Sequence, residues 1–196
     1  GCTVPSMIVG GMSAVGSAAL SAPGFEKRVD DAGLMVALNH ALLQEDDTLL
    51  LKIKIDALAG RLMLTGTVQD EAAHKTLQKI VGETDGIRQV FDYVQVSEAR
   101  SFSKVARDGL ISSLLRTAMM TDQAISAVNF IIRTHRGVVY ILGIAPTEEQ
   151  AIRVVNHART ISGVVEVKLE FETVDEMMLA FAAAEELSNS EASRER

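Results

Sequence analysis

The chain has 196 residues, of which 47% are hydrophobic and 4% aromatic, and its formal net charge is −7. This negative charge, which no cluster of Lys and Arg offsets, argues against a nucleic-acid-binding protein. The single cysteine excludes a disulfide framework within the chain. The length accommodates one large domain or two small ones.

The N-terminal stretch carries a candidate lipid anchor. Gly1-Cys2 resembles the end of a bacterial lipobox, where cleavage leaves the cysteine as the acylated first residue. Residues 3–25 carry no charge, but their glycines, serines and two prolines are unsuited to a membrane-spanning helix. We predict that Cys2 is lipidated and that residues 1–29 form a flexible tether. The alternatives are an inert thiol and a stretch of turns that packs on the first domain.

The first predicted element is a helix from Asp30 or Asp31 to Leu43. An aspartate at its start can accept hydrogen bonds from free amides and oppose the helix dipole. The apolar residues that recur at helical spacing are Leu34, Leu38, Ala41 and Leu42. Residues 44–47 are polar, and we predict that they form a loop.

A β-hairpin is predicted next. Apolar residues alternate with polar ones, which is typical of strands with one solvated face, and residues 56–60 turn the chain between the two strands. The predicted inward side chains are Leu51, Ile53, Ile55, Leu62, Leu64 and Val68. Gly66 interrupts the second strand, and an isolated glycine in a strand usually marks a bulge or a close approach of another backbone.

A second helix and a third strand complete this segment. Asp70 begins the helix and Gly82 ends it, with Ala73, Leu77, Ile80 and Val81 inward. The strand covers Gln89–Val96. A strand–helix–strand crossover makes its two strands parallel. The pattern therefore predicts helix–strand–strand–helix–strand, an α+β fold with a mixed three-stranded sheet and both helices on one face.

The whole segment occurs twice. Gly60 matches Gly137, Asp31 matches Asp108, and residues 31–96 align with 108–173 at a constant offset of 77 residues without a gap. An ungapped repeat of strands, turns and glycines indicates an internal duplication, with domains at 30–97 and 105–173. A copy of about 66 residues is near the size at which one core is marginally stable, so we expect the copies to pack together.

The second copy shows the same elements. Asp108 is predicted to cap a helix over 109–120, strands follow at 127–134 and 137–144, and Thr147 to Gln150 form a capping box. The last strand alternates Val165, Val167, Leu169 and Phe171 with charged residues. Residues 97–105 are predicted to be a polar linker, 174–187 an amphipathic helix that packs on the second copy or at the interface, and 188–196 a disordered tail.

These residues resemble the pattern of the BON-domain family, specifically the double-BON envelope proteins of Gram-negative bacteria. The first motif is met by Gly60, Leu62, Leu64, Gly66 and Val68, and by Gly137, Val139, Ile141 and Gly143, with Ala145 in place of the usual valine. The later motif is met by Gly86, Ile87 and Val90, and by Gly163, Val164 and Val167. Asp92 and Leu169 stand where the family often has asparagine. We expect the six motif glycines to be structural.

The resemblance implies export to the periplasm and binding to phospholipid surfaces rather than catalysis. The osmotically inducible periplasmic members are relatives without an anchor. With an acylated Cys2, the resemblance implies an outer-membrane lipoprotein that supports envelope integrity, and Thr3 after the cysteine favours sorting to that membrane. The alternative is an adapter that docks on envelope proteins through an exposed sheet edge. A hydrolase with unrecognised residues is a distant third hypothesis.

No pattern in the sequence indicates catalysis. The four histidines lack the spacing of metal ligands, and we expect them to be solvated. Nucleophile elbow, phosphate-loop and dinucleotide motifs are missing, and the one cysteine is at the terminus. We therefore expect neither an enzyme nor a metal site or cofactor.

The first helix of the second copy is the surface that the sequence favours for anionic phospholipid. Leu110 and Leu114 add apolar surface where the first copy has only Gly33 and Ala37. The flanking cations are Lys104, Arg107 and Arg116. An apolar edge among basic residues is typical of a helix that lies on lipid headgroups. The alternative is that the two leucines pack against the first copy or the C-terminal helix.

Overall fold

The computed structural model describes residues 31–45, 47–97 and 101–194. Contacts divide the chain into one unit of residues 29–182, which contains both copies, and a second of residues 1–28 and 183–196. The second unit is described only where the last helix continues. The predicted lipidation of Cys2 and the predicted tether lie outside the described residues.

The first copy has the predicted order of elements, with one additional short helix before the first strand. It comprises α1 (Asp31–Glu45), α2 (Asp47–Lys52), β1 (Ile53–Leu58), β2 (Arg61–Val68), α3 (Glu71–Gly82) and β3 (Gln89–Val96). The sheet order is β1-β2-β3, with β1 antiparallel and β3 parallel to β2. The mixed sheet and the α+β fold are therefore confirmed.

The second copy repeats this topology. It comprises α4 (Phe102–Thr121), a 3₁₀ turn (Ala127–Asn129), β4 (Phe130–His135), β5 (Val138–Ala145), α5 (Glu148–Thr160) and β6 (Glu166–Thr173), followed by α6 (Val174–Arg194). Its sheet order is β4-β5-β6, with the same antiparallel and parallel pairs.

Each sheet is covered on both faces. One face of each packs against the helices of its own copy and carries the predicted inward residues, among them Leu64 and Ile141. The other faces meet in a third cluster, in which Met63, Tyr140 and Leu142 are buried. The central strands β2 and β5 are therefore buried on both sides, and the expectation that the copies pack together is confirmed.

An approximate twofold axis relates the two copies. The Asp56 carboxylate binds the Arg133 guanidinium, and the Tyr93 hydroxyl donates to Glu170. Each of these pairs joins equivalent positions of the repeat, 77 residues apart. Contact between equivalent positions is characteristic of an isologous interface, the kind that relates the subunits of a twofold dimer.

The prediction of a loop at 44–47 followed by a strand at Leu51 is wrong. Helix α1 continues to Glu45, and α2 follows it. Leu51, predicted to face inward, is 83% exposed, while Leu49 is 1% exposed. The reason is that Leu49 and Leu51 both lie in the helix α2, where residues two positions apart are rotated by about 200° and therefore face opposite sides. Strand β1 then runs to Leu58, so the turn is shorter than predicted.

Asp108 is not a helix cap. Helix α4 begins at Phe102, within the predicted linker, and Asp108 is buried inside it. Its carboxylate accepts hydrogen bonds from the backbone amides of Arg136 at 2.8 Å and Gly137 at 3.0 Å. Asp31 does the same for Ala59 and Gly60, at 2.6 and 2.8 Å. The matched aspartates therefore hold the hairpin turns of the two copies.

Three smaller predictions at the C-terminal side also change. Thr147 caps α5 as predicted, but the Gln150 side chain donates to the Ala124 carbonyl at 3.0 Å instead of returning to the cap. Val165 precedes β6 and is 79% exposed. The last helix runs to Arg194, so residues 188–194 are helical where disorder was expected.

Candidate functional site

Helix α4 leaves its two predicted lipid-binding leucines on the surface. Its buried stripe consists of Asp108, Ile111, Leu115 and Met119. Leu110 is 59% exposed and Leu114 is 48% exposed. The alternative that both leucines are buried against another element is therefore wrong, and both side chains are exposed to solvent.

The three predicted cations do not form one group. Successive residues of an α-helix are rotated by about 100°, so Arg107 and Arg116, nine positions apart, lie on opposite sides of α4. Lys104 and Arg107 line one cleft, and Arg116 lines another. Leu110 and Leu114 lie on the side of Arg107. The structure thus places Arg107 nearest to the leucines, with Lys104 beside Arg107 in the first cleft, and puts Arg116 on the other side of the helix.

The cleft beside Lys104 and Arg107, which we call the cationic cleft, has a volume of about 970 Å³. Arg136 of the β4–β5 turn supplies its third cation, and the backbone at Gly163 and the side chain of Val165 form its other wall. A Cβ at Gly163 would lie 3.2 Å from Nε of Arg107. Because Gly163 has no side chain, the Arg107 guanidinium can lie directly against this loop.

The turn that carries Arg136 has an unusual backbone. Arg136 and Gly137 have φ of 56° and 76°, and Ala59 and Gly60 have φ of 54° and 77° at the same place in the first copy. Two positive φ values in succession are typical of the tight turn of a β-hairpin. Since an alanine fills this position in the first copy, the turn itself does not require an arginine.

Arg116 faces a second cleft, which lies between the copies and which we call the inter-copy cleft. It has a volume of about 530 Å³. Lys52 and Lys54 of the first copy line it together with Arg116, and the exposed side chains of Leu51 and Val105 are also among its lining residues.

A buried polar network holds the two sheets together. Arg61 is 2% exposed and donates to the carbonyl of Gly143 at 3.2 Å. Burial lowers the pKa of Arg61, and the nearby Glu172 carboxylate opposes that effect. Glu172 also accepts from Arg88 at 2.7 Å. These contacts join β2 and the β3 end of the first copy to β5 and β6 of the second.

Three of the four histidines are less solvated than predicted, while His40 is exposed. His74 binds the Asp92 carboxylate at 2.7 Å, His135 binds Thr67 at 2.9 Å, and His157 binds Asp122 at 2.8 Å, and all three are half-buried. The described residues contain no cluster of three or more His, Cys, Asp and Glu that could hold a metal. Among the helices described, none combines the length and apolar character that a membrane span requires.

The motif glycines have two kinds of structural setting. Positive φ occurs at Gly60, Gly66, Gly86, Gly137 and Gly163. Gly143 differs, because a Cβ there would lie 2.3 Å from the ring of Phe130. Both settings are reasons of backbone conformation or close packing, and the structural role proposed for the glycines fits them.

Sequence reasoning missed Arg136. The signal was available, because the repeat aligns Arg136 with Ala59 and Val165 with Arg88. These two exchanges place a cation in the turn of the second copy and remove one beside it. Their proximity to Lys104 and Arg107 depends on the packing of α4 against the β4–β5 turn.

Comparison with known proteins identifies the repeat. The BON domain model matches residues 30–98 and 107–175. An uncharacterised protein in the gshII 5′ region of Anaplasma centrale is 27% identical over 71% of this chain and 91% of its own length. Outer membrane lipoprotein DolP of Haemophilus influenzae is 24% identical, covering 89% and 90%. Osmotically-inducible protein Y of Escherichia coli strain K12 is 23% identical, covering 74% and 73%.

Among solved structures, the C-terminal domain of CdsD, a structural protein of the type III secretion system of Chlamydia trachomatis, aligns with 79% of this chain and 71% of its own. The identity is 16% and the TM-score is 0.30.

Proposed function

Because the chain belongs to the BON-domain family, we propose that it is a non-enzymatic periplasmic lipoprotein of the outer membrane that binds anionic phospholipid and supports envelope integrity. The observation that carries this proposal is the exposed pair Leu110 and Leu114 on the side of α4 that also holds Arg107. Similarity to an outer membrane lipoprotein and to an osmotically inducible protein supports the envelope setting.

We propose that only a small part of the protein surface contacts the membrane. The chain as a whole carries a charge of −7, which opposes approach to an anionic membrane. Transfer of exposed leucines into the interfacial region of the membrane lowers the free energy. Cations within a Debye length of the lipid phosphates are attracted to them. We therefore expect binding to depend on a few residues of α4 and to weaken as salt is added.

The proposed acyl chains on Cys2 would hold the protein at the membrane. A single weak contact gives marginal binding, whereas a lipid anchor together with a basic patch gives stable attachment. We expect Cys2→Ser to abolish fatty-acid labelling and to release the protein from membranes in cells. Unchanged labelling of the variant would exclude acylation at this residue.

Vesicle flotation tests the second-copy contact without the anchor. Full-length protein carrying Cys2→Ser is mixed with phosphatidylcholine vesicles that contain or lack phosphatidylglycerol. We expect flotation only with phosphatidylglycerol, and we expect Leu110→Glu to abolish it without changing the circular dichroism. Ile152→Glu is the matched control, because Ile152 is 50% exposed on α5. If both variants float equally well, α4 is not the contact.

A second candidate is an adapter for envelope proteins. The inter-copy cleft favours it, because its apolar side chains Leu51 and Val105 are exposed beside basic residues. An adapter would lose cross-links to envelope proteins in cells upon Leu51→Glu while its flotation remained normal. Cross-links that persist in this variant would exclude the inter-copy cleft as the docking site.

A further inference from the structure

We propose that the cationic cleft binds the phosphate group of a phosphate ester through Lys104, Arg107 and Arg136. A phospholipid headgroup and a soluble ester share this chemistry. The inference deepens the proposed function and rests on it for the lipid as the source, because Leu110 and Leu114 lie on the neighbouring face of α4.

The charge of the cleft fits an anion. Within the part of the chain that the structure describes, neither Lys104 nor Arg107 forms an ion pair, and both are exposed. Asp108 is the carboxylate among the described lining residues, and it is 5% exposed and accepts from two backbone amides. Three cations therefore face the cleft while its carboxylate is turned inward to hold the turn.

The arrangement of the two arginines fits phosphate. Arg107 lies against the backbone of Gly163, and Arg136 donates from Nη2 to the hydroxyl of Ser97. Arginine presents a planar fork of donors that matches two phosphate oxygens at once. Contacts that restrict the two side chains reduce the conformational entropy that they lose on binding.

Among the residues that the structure describes, the first copy differs at the equivalent turn. There the turn residue is Ala59, and Arg88 donates to the Ala59 carbonyl at 2.8 Å while it also binds Glu172. In the second copy Arg136 replaces the alanine, and the exposed Val165 stands at the position of Arg88. The second copy therefore carries its cation in the turn itself, with an exposed apolar side chain beside it in place of an arginine that binds the turn.

The substitution that tests the site is Arg136→Ala. It places in the second copy the residue that the first copy has at the same turn with nearly the same φ, so we expect the fold to persist. Lys75→Ala is the control, because it removes one exposed positive charge from α3 in the first copy. Both are made in the full chain carrying Cys2→Ser.

The first measurement is an NMR titration with sn-glycerol 1-phosphate, observed at the arginine Nε–H signals. We expect saturable shifts of Arg107 and Arg136 in the parent protein. Loss of one charge-assisted pair should weaken the affinity about tenfold in Arg136→Ala and leave it unchanged in Lys75→Ala. Equal affinities in the parent and both variants, or a parent that shows no shifts, would overturn the proposal.

Flotation with phosphatidylglycerol vesicles distinguishes the source of the phosphate. Weaker flotation of Arg136→Ala than of Lys75→Ala supports a lipid headgroup. Binding of the soluble ester without any flotation supports the phosphate site but contradicts the membrane function. Normal flotation of Arg136→Ala, with flotation lost in Leu110→Glu, overturns the headgroup site and leaves the proposed function intact.

Discussion

At the scale of single residues, Gly66 of β2 and its match Gly143 of β5 are required for different physical reasons. Gly66 has φ of +133°, and a Cβ there would lie 2.3 Å from the backbone oxygen of Lys52. Gly143 has no such φ, and its Cβ would meet the ring of Phe130. The first copy has Ile53 at the position of Phe130. The repeat therefore preserves the glycine while its physical reason changes from backbone geometry to aromatic packing.

The loss of stability caused by Gly143→Ala should therefore become smaller when Phe130 is also replaced by a smaller residue. The single substitution overpacks the strand and should lower the free energy of unfolding by about 1–3 kcal/mol. The double variant Gly143→Ala, Phe130→Ile should recover part of that loss relative to Phe130→Ile alone, as measured by urea unfolding.

The matched comparison is Gly66→Ala with Ile53→Ala. No rescue is expected there, because the obstacle is a backbone carbonyl and a positive φ. Equal coupling energies in the two copies would contradict the distinction.

The surface carboxylate of Asp122 has a pKa that its hydrogen-bond donors lower. Hydrogen bonds from His157, which contributes most, from the Ala124 amide and from Arg153 together lower the pKa of Asp122 to about 2. Because this pKa is lowered in the folded state, ionised Asp122 stabilises the fold at pH values above its ordinary pKa of 3.8. This stabilisation is lost as the pH falls towards 2.

His157→Gln tests this assignment. We expect the pKa of Asp122 to rise towards its ordinary value, because the largest of its stabilising hydrogen bonds weakens. The carboxyl ¹³C signal of Asp122 is followed by NMR between pH 5 and pH 1.5, about the range in which such a group titrates. An unchanged midpoint would show that Arg153 and the backbone amide are sufficient.

At the scale of elements, an aspartate on a helix holds the hairpin turn in each copy. Asp31 binds the amides of Ala59 and Gly60, and Asp108 binds those of Arg136 and Gly137. Each pair joins a helix to a turn that is remote in sequence. These hydrogen bonds satisfy two backbone amides that lie in the turn itself, outside the hydrogen-bond ladder of the two strands.

We expect Asp31→Ala to lower the free energy of unfolding more than a substitution that removes a helix cap. Two part-buried amides lose their acceptor, and each unsatisfied donor costs about 1–3 kcal/mol. Asp70, which caps α3 by accepting from Ala73 at 2.8 Å, is exposed, and Asp70→Ala should cost only about 1 kcal/mol.

Urea unfolding gives the two energies, and hydrogen exchange locates the effect. Faster exchange of the Ala59 and Gly60 amides is expected in Asp31→Ala and not in Asp70→Ala. Similar exchange at these amides in both variants would show that Asp31 acts only on its own helix.

At the scale of the whole molecule, the repeat forms an internal pseudo-dimer with complementary contacts near its axis. Equivalent positions that meet in a true homodimer carry identical residues, so a charged residue there would face its own copy. Duplication within one chain lets the two positions differ, as Asp56 and Arg133 do at 2.6 Å and Tyr93 and Glu170 do. The hydrogen bond to Asp56 raises the pKa of Arg133, in keeping with a close ion pair.

A charge exchange tests this symmetry. Asp56→Arg and Arg133→Asp should each destabilise the fold by about 1–3 kcal/mol, because like charges then meet at the axis and the bidentate pair is lost. The double variant restores an Arg–Asp pair between the same two positions, so it should be more stable than either single variant.

Thermal unfolding of the four proteins forms a complete cycle. Additive losses in the double variant would show that the two residues act independently, and would contradict contact across a twofold axis.

The sequence by itself determined the duplication, the order of the elements and their helix-facing cores. These depend on local periodicity: Leu34 and Leu38 recur at helical spacing, and Leu62 and Leu64 alternate along a strand, so one buried face is readable from neighbouring positions alone. The ungapped offset between the copies and the family resemblance came from the same local patterns. The exposed leucines of α4 were likewise predicted, because their partners in the first copy are small.

Only the tertiary structure decided what meets across long separations. Met63 and Tyr140 alternate away from the helices, yet the second sheet buries both. Asp108 has the spacing of a helix cap but binds a turn of its own copy. Arg116 lies apart from the other two cations because the buried stripe of α4 sets the rotation of the helix. Arg136 joins Lys104 and Arg107 for the same reason: contacts between remote segments leave no periodic trace in the sequence.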